Sequence, residues 1–237
     1  MEKIEPLMGK REPLIDPKKS TEVEYYTNYY KRLAEDSPRE CQSSMVGRIL
    51  KLVGEKKLDP ARVLDIGSGR QTIGKQLIAS GDQALKEKLK AIKFVSVDIA
   101  NIGVGSLPAL KRPNFKHYRA DAAYLPFEDN SFSLIVSNLA IDFVEPREAA
   151  FREAYRVLGG GGRVVFYLHH PHLFNSMDGK NEKVQKSWKD LKDNGRLFAD
   201  ENEIRSFLEK IGFSDVEIVL NNNKSNREKW WEVVAKK

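Results

Sequence analysis

The sequence has few of the features that mark secreted, membrane-spanning or cysteine-dependent proteins. Its 237 residues include a single cysteine, Cys41, which excludes a disulfide framework within the chain and a cysteine-rich metal site. It has no run of the roughly 18 apolar residues that a membrane-spanning helix needs. Residues 1–19 also lack the apolar centre of a signal peptide. We therefore expect a cytoplasmic protein, since cysteines stay reduced in that compartment.

The charge balance is mildly basic, and the excess is concentrated in one stretch. The formal net charge is +6, and residues 61–120 hold 11 Lys and Arg against 4 Asp and Glu. This surplus of basic residues suggests RNA as a binding partner. No long basic run or aromatic-interleaved basic stripe is present, so a solvated lysine-rich surface is favoured. An RNA-directed activity stays open as an alternative.

The pattern of apolar segments predicts two regions. Residues 1–57 read as a loose arm followed by helices, and residues 58–237 read as alternating strands and helices with a loop-rich insert at 170–199. Strands that are apolar throughout and separated by helices predict a parallel sheet covered on both faces. About eight residues separate the last two strands, too few for a helical crossover, so these strands should pair antiparallel. The predicted fold is α/β, a three-layer, doubly wound, seven-stranded, mostly parallel sheet with an antiparallel final strand.

A glycine-rich turn follows the first predicted strand and opens a helix. The turn is Gly67-Ser68-Gly69, and Asp65 precedes it at the carboxyl end of the strand. Asp98 ends the second strand, where an acidic side chain can accept hydrogen bonds from ribose hydroxyls. A carboxylate beside the turn suits a positively charged nucleoside and repels a pyrophosphate. S-adenosyl-L-methionine has the required charge, because it carries a sulfonium and an ammonium group.

Four motifs in a fixed order make the chain similar to a known family. They are Asp-x-Gly-x-Gly at 65–69, the strand-terminal Asp98, Asp-Ala…Leu-Pro-Phe-Glu-Asp-Asn-Ser-Phe at 121–132 and Arg-Val-Leu-x-x-Gly-Gly at 156–162. The sequence resembles the class I, Rossmann-like, S-adenosylmethionine-dependent methyltransferases over roughly residues 60–168. The branch it most resembles contains the ubiquinone/menaquinone and sterol methyltransferases. This resemblance implies S-adenosyl-L-methionine as cofactor and methyl transfer, with a small-molecule acceptor as the expected substrate.

The resemblance also implies roles for particular residues. The turn should hold the methionine part of the cofactor near Asp65, while Asp98 should bind the ribose. The residues that should contact the adenine are Ile99, Asp121 and Ala122. The residues that should form the floor near the reactive methyl are Asn138 and Leu139. N-terminal helices commonly cover the cofactor in this family, which makes Tyr25 and Tyr29 candidates for closing the pocket.

Candidate general bases follow the fifth strand, where the methyl acceptor should bind. Three of the four histidines are there, and His169 and His170 are the candidate catalytic residues, with His172 as a further acceptor contact. A loop-shaping or packing role for them stays open. Neighbouring positions converge poorly on one ion, so we expect no metal site.

One position departs from the family pattern. Gln71 stands where the family usually has glycine or another small residue, which puts cofactor affinity in doubt. A cofactor-binding module without catalysis therefore remains an alternative. An NAD(P)-dependent oxidoreductase is disfavoured, because Thr72 stands where the third glycine of Gly-x-Gly-x-x-Gly belongs.

Overall fold

The computed structural model describes residues 15, 17–32, 40–54, 61–79, 90, 92–101, 114–171, 197–222 and 229–237. These residues form one seven-stranded sheet with helices on both faces, so the predicted fold is confirmed. Most of the 170–199 insert and residues 1–14 lie outside the described ranges. No helix within the described ranges is long and apolar enough to cross a membrane.

Seven strands and five α-helices build the described fold. The strands are β1 (Arg62–Ile66), β2 (Lys93–Asp98), β3 (Phe115–Arg119), β4 (Phe132–Asn138), β5 (Leu158–His169), β6 (Ser214–Asn222) and β7 (Lys229–Lys236). The helices are α1 (Ser20–Arg32), α2 (Glu40–Gly54), α3 (Thr72–Ala79), α4 (Arg147–Val157) and α5 (Glu201–Ile211), with short 3₁₀ helices η1 (Pro17–Lys19) and η2 (Ile141–Phe143).

The strand order defines where a ligand should bind. The order is β3-β2-β1-β4-β5-β7-β6, with β7 antiparallel to both of its neighbours and the first five strands parallel. The chain runs outward from β1 in one direction through β2 and β3, then returns to the other side of β1 as β4. Ligands of doubly wound sheets bind at the carboxyl ends of the strands beside this reversal.

Each face of the sheet has its own apolar core, as the apolar strands predict. One core contains Phe151 of α4, Ile204 of α5 and Phe166 of β5, all with no exposed surface. The other contains Ile49 of α2 and Leu77 of α3, also fully buried. Burial of such side chains contributes roughly 1.5–3 kcal/mol each, so the two cores fix the strand ends that carry the polar residues.

The fifth strand begins earlier than its sequence predicts. The glycines after Leu158 suggest a loop with the strand starting at Arg163, but β5 already begins at Leu158, which pairs with Phe132. The register shifts between Phe132 and Leu134, and Gly161 has a φ of 73°. Glycine has no Cβ to oppose that left-handed conformation, so these residues continue the strand through an irregularity.

Candidate cofactor and active site

The glycine turn is fixed by hydrogen bonds to the neighbouring strand. The N–H groups of Gly67 and Ser68 both donate to the Val97 carbonyl, at 2.9 and 3.0 Å. Gly67 has a φ of 71°, and a Cβ at this position would overlap the side chain of Ala140. Glycine is therefore required here both for the backbone conformation and for the close approach of the segment that follows β4.

Asp98 closes the turn from the end of β2. One oxygen of its carboxylate accepts from the Gly69 N–H at 2.8 Å, and the other accepts from the Ala100 N–H at 2.8 Å. Burial raises the pKa of Asp98, while its backbone hydrogen bonds oppose that change. Each carboxylate oxygen has more than one acceptor site. The side chain that orders the turn thus retains capacity to accept from a ligand.

Asp65 is a buried carboxyl group that lacks a partner. It is 1% exposed, and neither oxygen has a hydrogen-bond partner among the described residues. Burial, and secondly the negative charge of Asp98, raises its pKa to about 8. A buried carboxyl group without a donor is unfavourable. A ligand that brings a cation or an N–H donor to this point would remove that penalty.

Asp121 lies beyond the end of β3 and forms another part of the same site. One of its oxygens accepts from the Ala123 N–H at 2.9 Å, and the other lies 2.6 Å from the Lys19 Nζ. Both side chains of this ion pair are largely buried. Sequence reasoning missed Lys19, because nothing in a charged and proline-rich arm indicates which lysine turns inward.

A single cleft brings together six of the predicted cofactor residues. Its volume is about 630 Å³, including the part open to solvent. The predicted residues on its wall are Gly67, Asp98, Ile99, Asp121, Ala122 and Leu139. The wall is completed by Lys19, Tyr26, Val97, Ala120, Ala140, Phe143 and Val144. Asp65, Ser68, Gly69 and Asn138 are not on this wall, but each lies within two residues of a wall residue, Gly67 or Leu139.

The tyrosine of α1 that reaches the cleft is Tyr26. Tyr25, which we expected to close the pocket, is 60% exposed and packs edge-on against Tyr26 with ring centroids 5.2 Å apart. Successive helix positions point about 100° apart, so the two neighbours cannot both face the cleft. The Tyr29 side chain lies outside the described part of the chain. Thr27 holds α1 in place by accepting a 3.0 Å hydrogen bond from the Asn101 N–H.

Asn138 is the last residue of β4, and Leu139, the next residue, lines the cleft. The Asn138 Nδ2 donates to the Cys41 Sγ at 3.8 Å, and its Oδ1 is buried without a partner among the described residues. Leu139 lines the cleft with a φ of 54°, and its N–H donates to the Tyr167 carbonyl at 2.8 Å. The left-handed backbone at Leu139 turns the chain across the carboxyl edge of the sheet.

The two candidate histidines at the end of β5 have different surroundings. His169 is 6% exposed, and its Nδ1 lies 2.9 Å from the Asp142 Oδ2, which also accepts from the His169 N–H at 2.8 Å. His170 packs against Trp231, with ring centroids 4.7 Å apart. His172 is outside the described residues. Asp142 was not anticipated, although its place four residues after the β4 strand is a usable signal.

Gln71, at the position where the family usually has glycine or another small residue, has a glycine-like backbone. Its φ is 60°, its N–H donates to the Ser68 carbonyl at 2.8 Å, and the residue is 2% exposed. The left-handed conformation is disfavoured by roughly 1–2 kcal/mol for a residue with a Cβ. The turn thus keeps the geometry typical of the glycine motif despite the bulky side chain.

The residues present fit a nucleoside that carries positive charge. Buried acceptor atoms without partners among the described residues include both Asp65 oxygens, the Ser68 Oγ and the Asn138 Oδ1. Such atoms favour a ligand with donors or a cation at this point. The neighbouring Asp65 and Asp98 carboxyl groups provide no positive charge to compensate a pyrophosphate.

Comparison with known proteins agrees with this geometry. Residues 64–166 match the family model described as "Methyltransferase domain". The chain is 28% identical over 180 residues to a malonyl-[acyl-carrier protein] O-methyltransferase of Halorhodospira halophila, covering 73% of this chain and 55% of that protein. It is 28% identical over 172 residues to the ubiquinone/menaquinone biosynthesis C-methyltransferase UbiE of Brucella abortus, covering 65% of this chain and 62% of that protein. The chain thus spans less than two thirds of either relative.

A solved structure shares the fold at low sequence identity. The 1,6-didemethyltoxoflavin-N1-methyltransferase of Burkholderia thailandensis, with bound 1,6-didemethyltoxoflavin and S-adenosylhomocysteine, superposes with a TM-score of 0.63 at 15% identity, covering 96% of this chain and 92% of that one. The fold is that of the class I S-adenosylmethionine-dependent methyltransferases. Residues 64–166 match a methyltransferase domain, so the resemblance stated from the sequence is confirmed.

Proposed function

We propose that this protein is an S-adenosyl-L-methionine-dependent methyltransferase that acts on a small-molecule acceptor. One observation carries the proposal. Asp98 lies in a cleft between the glycine turn and Asp121, and Asp65 is buried beside it with two unpartnered oxygens. A nucleoside with a positively charged tail provides hydroxyls for Asp98 and a cation for Asp65 in one molecule.

Different residues of the cleft bind different parts of the cofactor. Asp98 accepts from the ribose hydroxyls, Ile99 packs on the adenine, and Asp121 with the Ala122 backbone recognises the adenine edge. The glycine turn at residues 67–69, in which the Ser68 Oγ is unpartnered among the described residues, holds the methionine portion near Asp65. Asn138 and Leu139 form the floor beneath the methyl group, and Tyr26 with Lys19 covers the cleft from the N-terminal region.

The chemistry requires mainly orientation. The bound cofactor supplies a methyl group on a sulfonium, which is already a reactive electrophile. The protein has to hold an acceptor in line with that group, and positioning alone lowers a barrier by up to about 7–11 kcal/mol in favourable cases. The floor at Asn138 and Leu139 and the wall at Phe143 and Val144 are the surfaces that exclude water and orient the acceptor.

The small-molecule acceptor is supported by the relatives. Their names describe an O-methyltransferase of malonyl-[acyl-carrier protein] in one case and a C-methyltransferase of ubiquinone/menaquinone biosynthesis in the other. The cytoplasm is the expected compartment, since the sequence has a single cysteine, Cys41, whose thiol is buried.

The test is isothermal titration calorimetry with S-adenosylmethionine, S-adenosylhomocysteine and NADH. We expect both sulfur nucleosides to bind and NADH not to bind. Replacing Asp98 by alanine should weaken binding at least about tenfold, because a charge-assisted hydrogen bond contributes roughly 1.5–3 kcal/mol.

Two further variants make the result specific. Asp98→Asn keeps the shape of the side chain and should also weaken binding, since an amide lacks the charge and offers one acceptor oxygen. Glu217→Gln on the exposed part of β6 should bind like the parent protein. Binding of NADH alone would replace the proposal with an oxidoreductase.

A further inference from the structure

A buried carboxylate–histidine pair lies beside the proposed methyl-transfer site. Asp142 and His169 are 2% and 6% exposed, and they join η2 to the end of β5. A single oxygen, Asp142 Oδ2, accepts from both the Nδ1 and the backbone N–H of His169. Two hydrogen bonds to one oxygen fix the plane of the ring, and donation from Nδ1 makes Nε2 the basic nitrogen of the neutral imidazole.

The pair is connected to the wall of the cofactor cleft. Phe143, the residue after Asp142, lines the cleft and packs on the His169 ring with centroids 4.2 Å apart. Val144, one residue further, also lines the cleft. The η2 segment therefore carries the carboxylate of the pair and part of the cleft wall within three residues. His169 stands at the carboxyl end of β5, the edge of the sheet on which the ligand crevice opens.

The surroundings of the pair differ from those of an ordinary buried histidine in the same protein. His117 on β3 has its Nδ1 3.0 Å from the Ser96 hydroxyl, and burial lowers its pKa to about 4. A hydroxyl partner does not compensate a positive ring. The Asp142 carboxylate does compensate one, and its second oxygen is buried without a partner among the described residues. The pair thus has an unused acceptor atom and a means of stabilising an imidazolium.

Building on the proposed function, we infer that His169 accepts the proton of the methyl acceptor. Asp142 orients the His169 ring and stabilises its protonated form. The acceptor then belongs to the class whose attacking atom carries hydrogen, such as a hydroxyl, an N–H group or an acidic C–H group. An acceptor that attacks through an ionised carboxylate needs no such base.

The step balances in atoms and charge. The X–H bond of the acceptor breaks, its proton forms a bond with Nε2 of His169, and the electron pair left on X forms the X–CH₃ bond. The methyl–sulfur bond breaks, and its electrons remain on sulfur, so the sulfonium becomes a neutral thioether. The Asp142 carboxylate lies beside the imidazolium formed at His169 and compensates its positive charge.

The first experiment measures the reactivity of His169 without needing the natural acceptor. Diethyl pyrocarbonate acylates neutral imidazole nitrogens, and mass spectrometry locates the modified histidine. We expect His169 to react in the S-adenosylhomocysteine complex at pH 8.5. In Asp142→Asn the reaction should slow by about threefold or more, because nucleophilicity falls with basicity.

The outcomes separate a positioning role from a structural one. If Asp142 served only to hold η2 against β5, its replacement would loosen the site, and His169 would react as fast or faster. That result, or no reaction at His169 in the parent protein, would overturn the inference. Restoration of the acylation rate by Asp142→Glu would support the inference. His117→Gln is the control, because it removes a buried histidine that is not part of the pair.

The second experiment tests the acceptor class with S-adenosylmethionine carrying a tritiated methyl group and a mixture of simple phenols, amines and carboxylic acids. Methyl ethers or methylamines whose formation is lost in His169→Gln would support the inference. A methyl ester that forms equally well in His169→Gln would overturn it. Titration with S-adenosylhomocysteine tests the proposed function separately, because absence of binding would contradict that function. The acylation of His169 can still be measured in the unliganded protein, so the inference about His169 is tested in either case.

Discussion

Replacing Asp65 by asparagine should stabilise the unliganded protein and weaken its binding of S-adenosylmethionine. The Asp65 carboxyl group is 1% exposed and has no hydrogen-bond partner for either oxygen among the described residues. Burial, with the charge of Asp98 as a second cause, raises its pKa from 3.8 to about 8. At neutral pH the folded protein therefore holds a proton that the unfolded chain releases.

The size of the effect follows from proton linkage. The folded-state pKa is raised, so the folded state is favoured below pH 3.8 and loses stability as the pH rises toward 8. Each pH unit in that window is worth roughly 1.4 kcal/mol, which gives a destabilisation on the order of 4 kcal/mol at pH 7. Asparagine is neutral in both states and avoids this penalty. The loss of the carboxylate should weaken cofactor binding about 10- to 100-fold, the value of one charge-assisted hydrogen bond.

Urea unfolding of the parent protein and Asp65→Asn at pH 4.5 and pH 7 measures the effect. We expect a small difference at pH 4.5 and a gain for the variant on the order of 4 kcal/mol at pH 7. Asp215→Asn is the opposite control, because hydrogen bonding to Lys236 lowers the pKa of Asp215 and its replacement should bring no gain. Equal free energies of unfolding at pH 7, or the same difference at both pH values, would refute the reasoning.

Three further predictions concern the cleft and the packing around it. Lys19→Ala removes the ion pair at Asp121 and should tighten S-adenosylhomocysteine binding by about threefold to tenfold in calorimetry, since the carboxylate is released for the adenine; weaker binding would contradict this. Gly67→Ala should reduce both cofactor affinity and the melting temperature, because its Cβ would overlap Ala140. The control Gly47→Ala in α2, where a Cβ meets nothing within 4 Å, should stabilise the protein by about 1 kcal/mol. Lys237→Met removes an ammonium that donates to three carbonyls at the end of α4 and should lower the free energy of unfolding in urea by about 1–3 kcal/mol; an unchanged midpoint would contradict this role.

The sheet could be predicted from the sequence because each of its strands is a short local signal. Continuous apolar runs mark β1, β2 and β4, and the short connection after β6 fixes the antiparallel β7. The start of β5 could not be predicted, since glycines usually end a strand. Here the pairing of Leu158 with Phe132 extends it, and that contact joins residues far apart in sequence.

The parts of the site that the sequence indicated are those tied to strand ends. Gly67, Asp98 and Asp121 each follow a predicted strand, and they line one cleft. Lys19 had no comparable signal, because its importance depends on Asp121, which is 102 residues away. Asp142 was indicated only by its place four residues after β4, and its partner His169 lies 27 residues away. Side-chain contacts over such separations are decided by packing rather than by local pattern.

Which tyrosine faces the cleft was also beyond the sequence. Tyr25 and Tyr26 lie on one helix and differ by a rotation of about 100°. The rotation of α1 is set by contacts such as the one between Thr27 and the Asn101 N–H, which joins residues 74 positions apart.

A crystal structure of the protein with S-adenosylhomocysteine tests the central claim most directly. The account predicts both ribose hydroxyls within hydrogen-bond distance of the Asp98 carboxylate, the adenine between Ile99 and Asp121, and the amino group of the methionine portion near Asp65. A nucleoside bound outside this cleft, or bound within it with its ribose turned away from Asp98, would contradict the account.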